Sequence, residues 1–285
     1  MAEPARTTGI VEASDGYALG YRMYPSANPK GPVVGCVHGI QSHSGWYDRS
    51  CRFLADAGFT TYFFDRRGSG INTVDRGHAS GFRILIDDFS RCLKMMRASY
   101  PQSPVIVNAI SWGGKIAAAT LASHPALADG LILVAPGFMP RVRPPFMDQV
   151  RIAYSAFVNP RRMLPVPLSD PALFTENPEW MRFIANDPIA VKQATARLLF
   201  SSRMLDFRLL RVARRIQQPT LLVLASKDRI VNNAKTRAFV NRFMTRDLEV
   251  VEFQGAHTLE FEPDPTEFFE TLRRWIEKRF LRDGR

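Results

Sequence analysis

The sequence predicts an α/β protein with a mostly parallel sheet covered by helices on both faces. Three observations carry that expectation. Short runs rich in Val, Leu, Ile and Phe alternate with stretches of helical period, which is the order of strands joined by crossover helices. The runs are apolar throughout and bounded by Gly, Pro or Asp, as suits strands buried on both faces. The chain has 285 residues with 46% apolar and 23% charged side chains, enough for a large core and close to ordinary globular usage.

The elements follow in order. Gly9 to Glu12 and Ala18 to Tyr24, either side of Asp15 and Gly16, read as an antiparallel hairpin. Pro32 to Val37 and Phe59 to Asp65 are the next strands, with a helix over Tyr47 to Ala57 stopped by Gly58. A helix over Arg83 to Tyr100, ended by Pro101, leads to the strand Val105 to Ile110 and the helix Gly113 to Ser123. Gly130 to Ala135 is the sixth strand. Thr220 to Ala225, Lys235 to Phe243, Leu248 to Phe253 and Pro265 to Phe280 then alternate strand and helix, which brings the sheet to eight strands. No repeats or low-complexity tracts interrupt the pattern.

One connection breaks the rhythm. Roughly eighty residues separate Ala135 from Thr220, whereas a crossover needs about a dozen. The inserted segment has Pro-rich punctuation, helical stretches at Trp180 to Ile184 and Ala190 to Leu205, and many large apolar side chains, among them Phe138, Phe146, Phe157, Phe174 and Phe200. We expect residues 137–215 to form a helical cap inserted after strand six, over the C-terminal edge of the sheet, with 1–136 and 216–285 as the core.

Charge and cysteine usage narrow the partners. The net charge is +11, but the basic residues are scattered, without a run of five or six and without a nucleic-acid signature, so no nucleic-acid partner is expected. Residues 137–215 hold 12 Arg and Lys192 against 6 acids, an excess suited to steering an anionic substrate or to peripheral contact with an anionic membrane surface. No stretch approaches the ~18 apolar residues of a spanning helix, and no apolar run follows a basic start at the N-terminus, so a cytoplasmic address is expected. Cys36, Cys51 and Cys92 are an odd set without metal spacing, which reads as buried thiols in a reducing compartment rather than as disulfides or a zinc site.

Ser111 stands at a corner where the strand Val105 to Ile110 runs straight into a helix. A turn tight enough to project a side chain there crowds the residues two before and two after it, and these are Ala109 and Gly113. Alone, Ser111 is also compatible with an ordinary helix N-cap. The segment resembles the G-x-S-x-G nucleophile elbow of α/β-hydrolases, with Ala109 in place of the first glycine. A second stretch, from His38-Gly39 through His43-Ser44 to Tyr47, resembles the H-G-x-x-x-H-S-x-x-Y loop of monoacylglycerol lipases and lysophospholipase-like hydrolases. The resemblance implies that this loop supplies half of an oxyanion hole, the N–H of Ile40 beside that of Trp112, with Gly39 permitting the close turn. His38 and His43 then shape the loop. Asp65-Arg66-Arg67-Gly68-Ser69-Gly70-Ile71-Asn72 is similar to the family's D-x-R-G-x-G-x-S, with Asn72 for Ser, and is read as structural.

The resemblance further implies a chain order of nucleophile, acid, histidine. Asp228 lies just past the strand Thr220 to Ala225, and His257 just past Leu248 to Phe253. Of the five histidines only His257 fills that slot; His78 and His124 read as structural. Loop, elbow, acid and histidine each fall at a strand's C-terminal end, where open α/β sheets place their ligands. The likeness spans about Gly9 to Phe280 and implies an α/β-hydrolase fold and a serine hydrolase of carboxylic esters, medium- or long-chain monoacyl lipids first, needing no metal and no organic cofactor. Acyltransferase, peptidase and carbon–carbon hydrolase chemistry would use the same machinery. A silent binding protein on this fold would be expected to have lost members of the triad.

Overall fold

The computed structural model describes residues 6–281. Strands β1 (Thr7–Glu12) and β2 (Ala18–Tyr24) form the expected antiparallel hairpin. Then come β3 (Val33–Val37), helix α1 (Asp48–Asp56), β4 (Thr60–Phe64), α2 (Phe82–Ser99), β5 (Val105–Ile110), α3 (Gly113–Ser123) and β6 (Gly130–Val134). The segment after β6 contains α4 (Phe146–Val158), the short β7 (Met163–Pro165), α5 (Pro178–Asn186), the short β8 (Gln193–Thr195) and α6 (Ala196–Val212). The chain ends with β9 (Thr220–Ala225), α7 (Asn233–Val240), β10 (Leu248–Phe253) and α8 (Thr266–Phe280).

Eight strands make one sheet in the order β1-β2-β4-β3-β5-β6-β9-β10. β2 runs antiparallel to its two neighbours, and every pairing from β4 to β10 is parallel. Every residue of β3, β4, β5, β6 and β9 is buried, as an apolar run with helices on both faces requires. The outermost strands, β1 and β10, are partly open. This parallel order puts the C-terminal ends of β3, β5, β9 and β10 on one rim, where the loops after them converge.

The segment between β6 and β9 departs from the sequence reading in three places. α6 starts at Ala196 rather than Ala190, because Gln193–Thr195 is extended and pairs antiparallel with Met163–Pro165. Thr195 then caps the helix, its Oγ1 accepting the Leu198 N–H at 3.2 Å. α5 starts earlier than expected, with Asn177 as N-cap and Pro178 in the first turn, where a missing N–H costs nothing. α4 is a helix that the sequence pattern does not announce: Phe146, Met147, Tyr154, Phe157 and Val158 are 64% to 75% exposed, so its large apolar residues do not mark a buried face. Its narrower inner face joins a small second core, in which Ile152 packs with Ala156, Leu164 and Ala196. No helix among the described residues is long and apolar enough to cross a membrane.

Candidate active site

The corner after β5 is built by strain and close packing. Ser111 has φ +52°, a conformation that costs a non-glycine residue on the order of 1 kcal/mol and persists only where the surroundings impose it. The Ser111 N–H donates to the Val134 carbonyl at 2.9 Å, and the Ser111 carbonyl accepts from Gly114 at 3.0 Å and Gly137 at 2.8 Å. A Cβ on Gly113 would lie 2.5 Å from the Val37 carbonyl oxygen and 2.6 Å from that of His38, so no side chain fits there. Ala109 is fully buried, its methyl accommodated in the first small position of the turn.

Three distant points of the chain meet at this corner. His257 Nε2 lies 2.8 Å from Ser111 Oγ, and His257 Nδ1 lies 2.7 Å from Asp228 Oδ2. The other carboxylate oxygen, Asp228 Oδ1, accepts the N–H groups of Ile230 at 2.7 Å and Val231 at 2.8 Å, which fixes the carboxylate in place. With Nδ1–H donating to Asp228, Nε2 carries the lone pair that faces the serine hydroxyl. Asp228 and His257 are buried. The edge of Phe174 packs on the imidazole, with ring centroids 6.1 Å apart, and the Thr258 N–H donates to the Phe174 carbonyl at 2.8 Å.

Ile40 and Trp112 line the same cavity as Ser111. Neither N–H has a hydrogen-bond acceptor among the described residues. Gly39 approaches closely, since a Cβ there would be 3.3 Å from Ser111 Cβ. The Arg66 guanidinium donates to the Ile40 carbonyl and lies 5.2 Å from the centre of the Trp112 ring. It therefore touches both residues expected to supply the oxyanion hole and holds the Ile40 carbonyl in place. Burial pulls Arg66 down to about 10, which leaves it charged at neutral pH. The sequence motif marks Arg66 as structural; only the fold brings it against Ile40 and Trp112.

The loop histidines are engaged elsewhere. His38 Nδ1 is 2.8 Å from the Gly39 carbonyl oxygen, Nε2 accepts from the Arg66 N–H at 3.2 Å, and burial holds the ring well below the ordinary histidine value, hence neutral. His43 Nδ1 accepts from Gly45 at 3.0 Å and Nε2 donates to Asp187 Oδ2 at 2.9 Å. Trp46 Nε1 donates to the same oxygen at 2.6 Å. Burial pushes the Asp187 carboxyl up, but the hydrogen bonds from His43 and Trp46 outweigh it and bring the group to about 2. Asp65 accepts the Ser44 N–H at 2.7 Å, the Ser44 hydroxyl at 2.9 Å and the Ile71 N–H at 3.0 Å, and Asn72 bridges the Gly20 N–H and the Asp65 carbonyl, so this motif stitches loops together. His78 bonds the Thr195 hydroxyl at 3.0 Å.

A cavity of about 290 Å³ opens above Ser111. Val142, Ile152, Val166, Leu168, Leu199 and Phe200 give it apolar walls, all from the segment between β6 and β9. A charged group of Lys115, Arg143, Arg203 and Asp206 lines the same cavity. The sequence singles out neither Lys115 nor its partner Asp206, although Lys115 is the one charged residue of α3. No group of three or more His, Cys, Asp or Glu able to hold a metal occurs among the described residues.

Comparison with known proteins gives a consistent picture. The family model described as serine aminopeptidase, S33, matches residues 27–264. The human monoglyceride lipase is 25% identical over 96% of this chain and 91% of its own length. The monoacylglycerol lipase of Mycolicibacterium smegmatis is 25% identical over 97% of this chain and 99% of its own. The crystal structure of the Paleococcus ferrophilus monoacylglycerol lipase shares the fold, with a TM-score of 0.81 at 24% identity, over 91% of this chain and 98% of that one.

Proposed function

Because the chain belongs to the serine aminopeptidase S33 family, an α/β-hydrolase family, we propose that it is a serine hydrolase of monoacyl lipid esters working through Ser111, His257 and Asp228. The observation that carries the reading is the continuous relay from Asp228 to His257 at 2.7 Å and from His257 to Ser111 at 2.8 Å. A serine hydroxyl is a poor nucleophile at neutral pH until a base within hydrogen-bond reach takes its proton. His257 Nε2 takes the Ser111 proton as Oγ attacks the ester carbonyl, and Asp228 holds the tautomer and stabilises the imidazolium. The N–H groups of Ile40 and Trp112 receive the oxyanion. His257 then protonates the leaving alcohol, and a water, activated the same way, releases the acid from the acyl-enzyme.

The apolar walls support an acyl chain as the group enclosed above Ser111, and residues 137–215 serve as the cap that excludes water from it. An aminopeptidase needs an anionic group for a free α-ammonium. Here Asp206, the one carboxylate lining the cavity among the described residues, is already 2.5 Å from Lys115 and 3.5 Å from Arg203, which favours an ester over a peptide N-terminus. The outward apolar stripe of α4, with Arg151 and Arg162 nearby in sequence, supports peripheral docking on an anionic lipid surface. Three buried, unpaired cysteines support a reducing compartment such as the cytoplasm.

The test is turnover of 1-monoacylglycerols of graded chain length by the wild type and by Ser111→Ala, with products identified. We expect free fatty acid and glycerol from the wild type and a loss of at least about 10⁴-fold in Ser111→Ala with an unchanged circular dichroism spectrum. Retained turnover in the variant would refute the assignment, and an acyl ester of an added alcohol as the main product would make the enzyme a transferase.

A further inference from the structure

We propose that the cavity recognises an anionic group on its ester substrate, a carboxylate or a phosphate, held at the wall formed by Lys115, Arg143 and Arg203. The inference rests on the hydrolase reading above and adds the substrate's charge. Lys115 lies in the first turn of α3, directly after the corner that carries Ser111, and both residues line the cavity. Its side chain is only 5% exposed. A buried ammonium is costly unless paired, and its partner is Asp206 on α6, 2.5 Å away.

One carboxylate does not balance this wall. Asp206 also lies 3.5 Å from Arg203, and Arg143 lines the same cavity, so three cations share a single anion. Arg143 donates through Nε to the Pro140 carbonyl at 3.2 Å, and its two terminal nitrogens have no acceptor among the described residues. If the pair only fastened α6 to α3, Lys115 and Asp206 would suffice; Arg203, which also packs 4.6 Å over the Phe207 ring, and Arg143 bring positive charge to the same wall beyond what Asp206 balances. They do repel: burial lowers the Lys115 ammonium, Asp206 opposes that, and both Arg203 and Arg143 lower it further. A bound anion offsets the repulsion and gives the free fork of Arg143 a planar or tetrahedral partner that it matches in geometry, with Arg203 beside it. An apolar cavity ending in uncompensated positive charge suits a molecule that is both lipid-like and anionic.

The anion has two chemical sources, an acyl chain ending in a carboxylate or an alcohol carrying a phosphate. Two matched pairs separate them: p-nitrophenyl hexanoate against the mono-p-nitrophenyl ester of adipic acid, and a 1-monoacylglycerol against the 1-acylglycerol 3-phosphate of the same chain. In the wild type, kcat/KM for the anionic member of one pair is expected to exceed that of its neutral partner at least tenfold, with its KM rising as NaCl is added. In the double variant Arg143→Gln and Arg203→Gln, both substituted at exposed side chains, that anionic-to-neutral ratio is expected to fall tenfold or more. Lys115→Met would strand Asp206 and is the less informative change.

Neutral esters preferred in both pairs, or a ratio that the double substitution leaves unmoved, overturns the proposal while Ser111-dependent hydrolysis of neutral esters keeps the hydrolase reading standing. Absence of Ser111-dependent turnover on all four esters overturns that reading, and this one with it.

Discussion

Asp187 lies 144 residues from His43 in the chain and 2.9 Å from it in the fold. It ties the loop bearing Ile40 to the start of the stretch between α5 and β8, through His43, Trp46 and the Ile189 N–H at 3.0 Å. Asp187→Ala leaves the buried donors of His43 and Trp46 without an acceptor and is expected to lower unfolding stability by about 2–3 kcal/mol in urea titration, with a fall in kcat as the Ile40 N–H loses its fixed place. Wild-type stability and kcat in that variant would show that the clamp is incidental. Ser111, Asp228 and His257, the proposed nucleophile, acid and base, are legible in the sequence because each sits at the end of a strand that its own apolar run announces. Asp187 and Asp206 are not: a long-range carboxylate in an irregular or amphipathic stretch has no local pattern that says what it will face. Arg66 was visible in its motif, yet only the fold shows it touching both Ile40 and Trp112.

At the scale of elements, the hydrolase core followed the sequence closely because buried parallel strands and their helices have unambiguous periods. The inserted segment did not, for a physical reason visible in α4: its large apolar side chains point to solvent, and the usual inference from apolar residue to buried face fails there. That exposed stripe predicts adsorption. The protein is expected to cosediment with vesicles containing phosphatidylglycerol at low salt, and Phe146→Ser with Met147→Ser to reduce the bound fraction several-fold without lowering stability, since both side chains are already in water. Equal binding by the variant would move the contact off α4. The corner between β5 and α3 gives an opposite expectation. Gly113→Ala forces a methyl to 2.5 Å from a backbone oxygen, so the turn opens; a loss of more than about 3 kcal/mol of stability, or expression only as aggregate, is expected.

Over the whole molecule, the eight strands, their mostly parallel order and the insertion after the sixth were all implied by the alternation of runs, whereas the pairing order and the partners of buried charges were not. One of those charges gives the fold a pH dependence. Glu260, three residues past His257, accepts the Ser50 N–H at 2.9 Å, and burial pushes its carboxyl from 4.5 up to about 7. Between those values the unfolded chain releases this proton and the native chain keeps it, so native stability falls as pH rises through that window, by up to about 3 kcal/mol from this group. Glu260→Gln removes the dependence: its stability relative to the wild type should rise between pH 5 and pH 8 in urea titrations at each pH. A difference that stays flat with pH would mean that Glu260 is ionised in the native state.

The relay of Asp228, His257 and Ser111 is tested most directly by intact-mass and peptide mass spectrometry after treatment with a fluorophosphonate. A single adduct is expected, on the peptide holding Ser111, absent from Ser111→Ala and slowed by several orders of magnitude in His257→Ala. An adduct on another serine, or equal labelling rates with and without His257, would contradict the account.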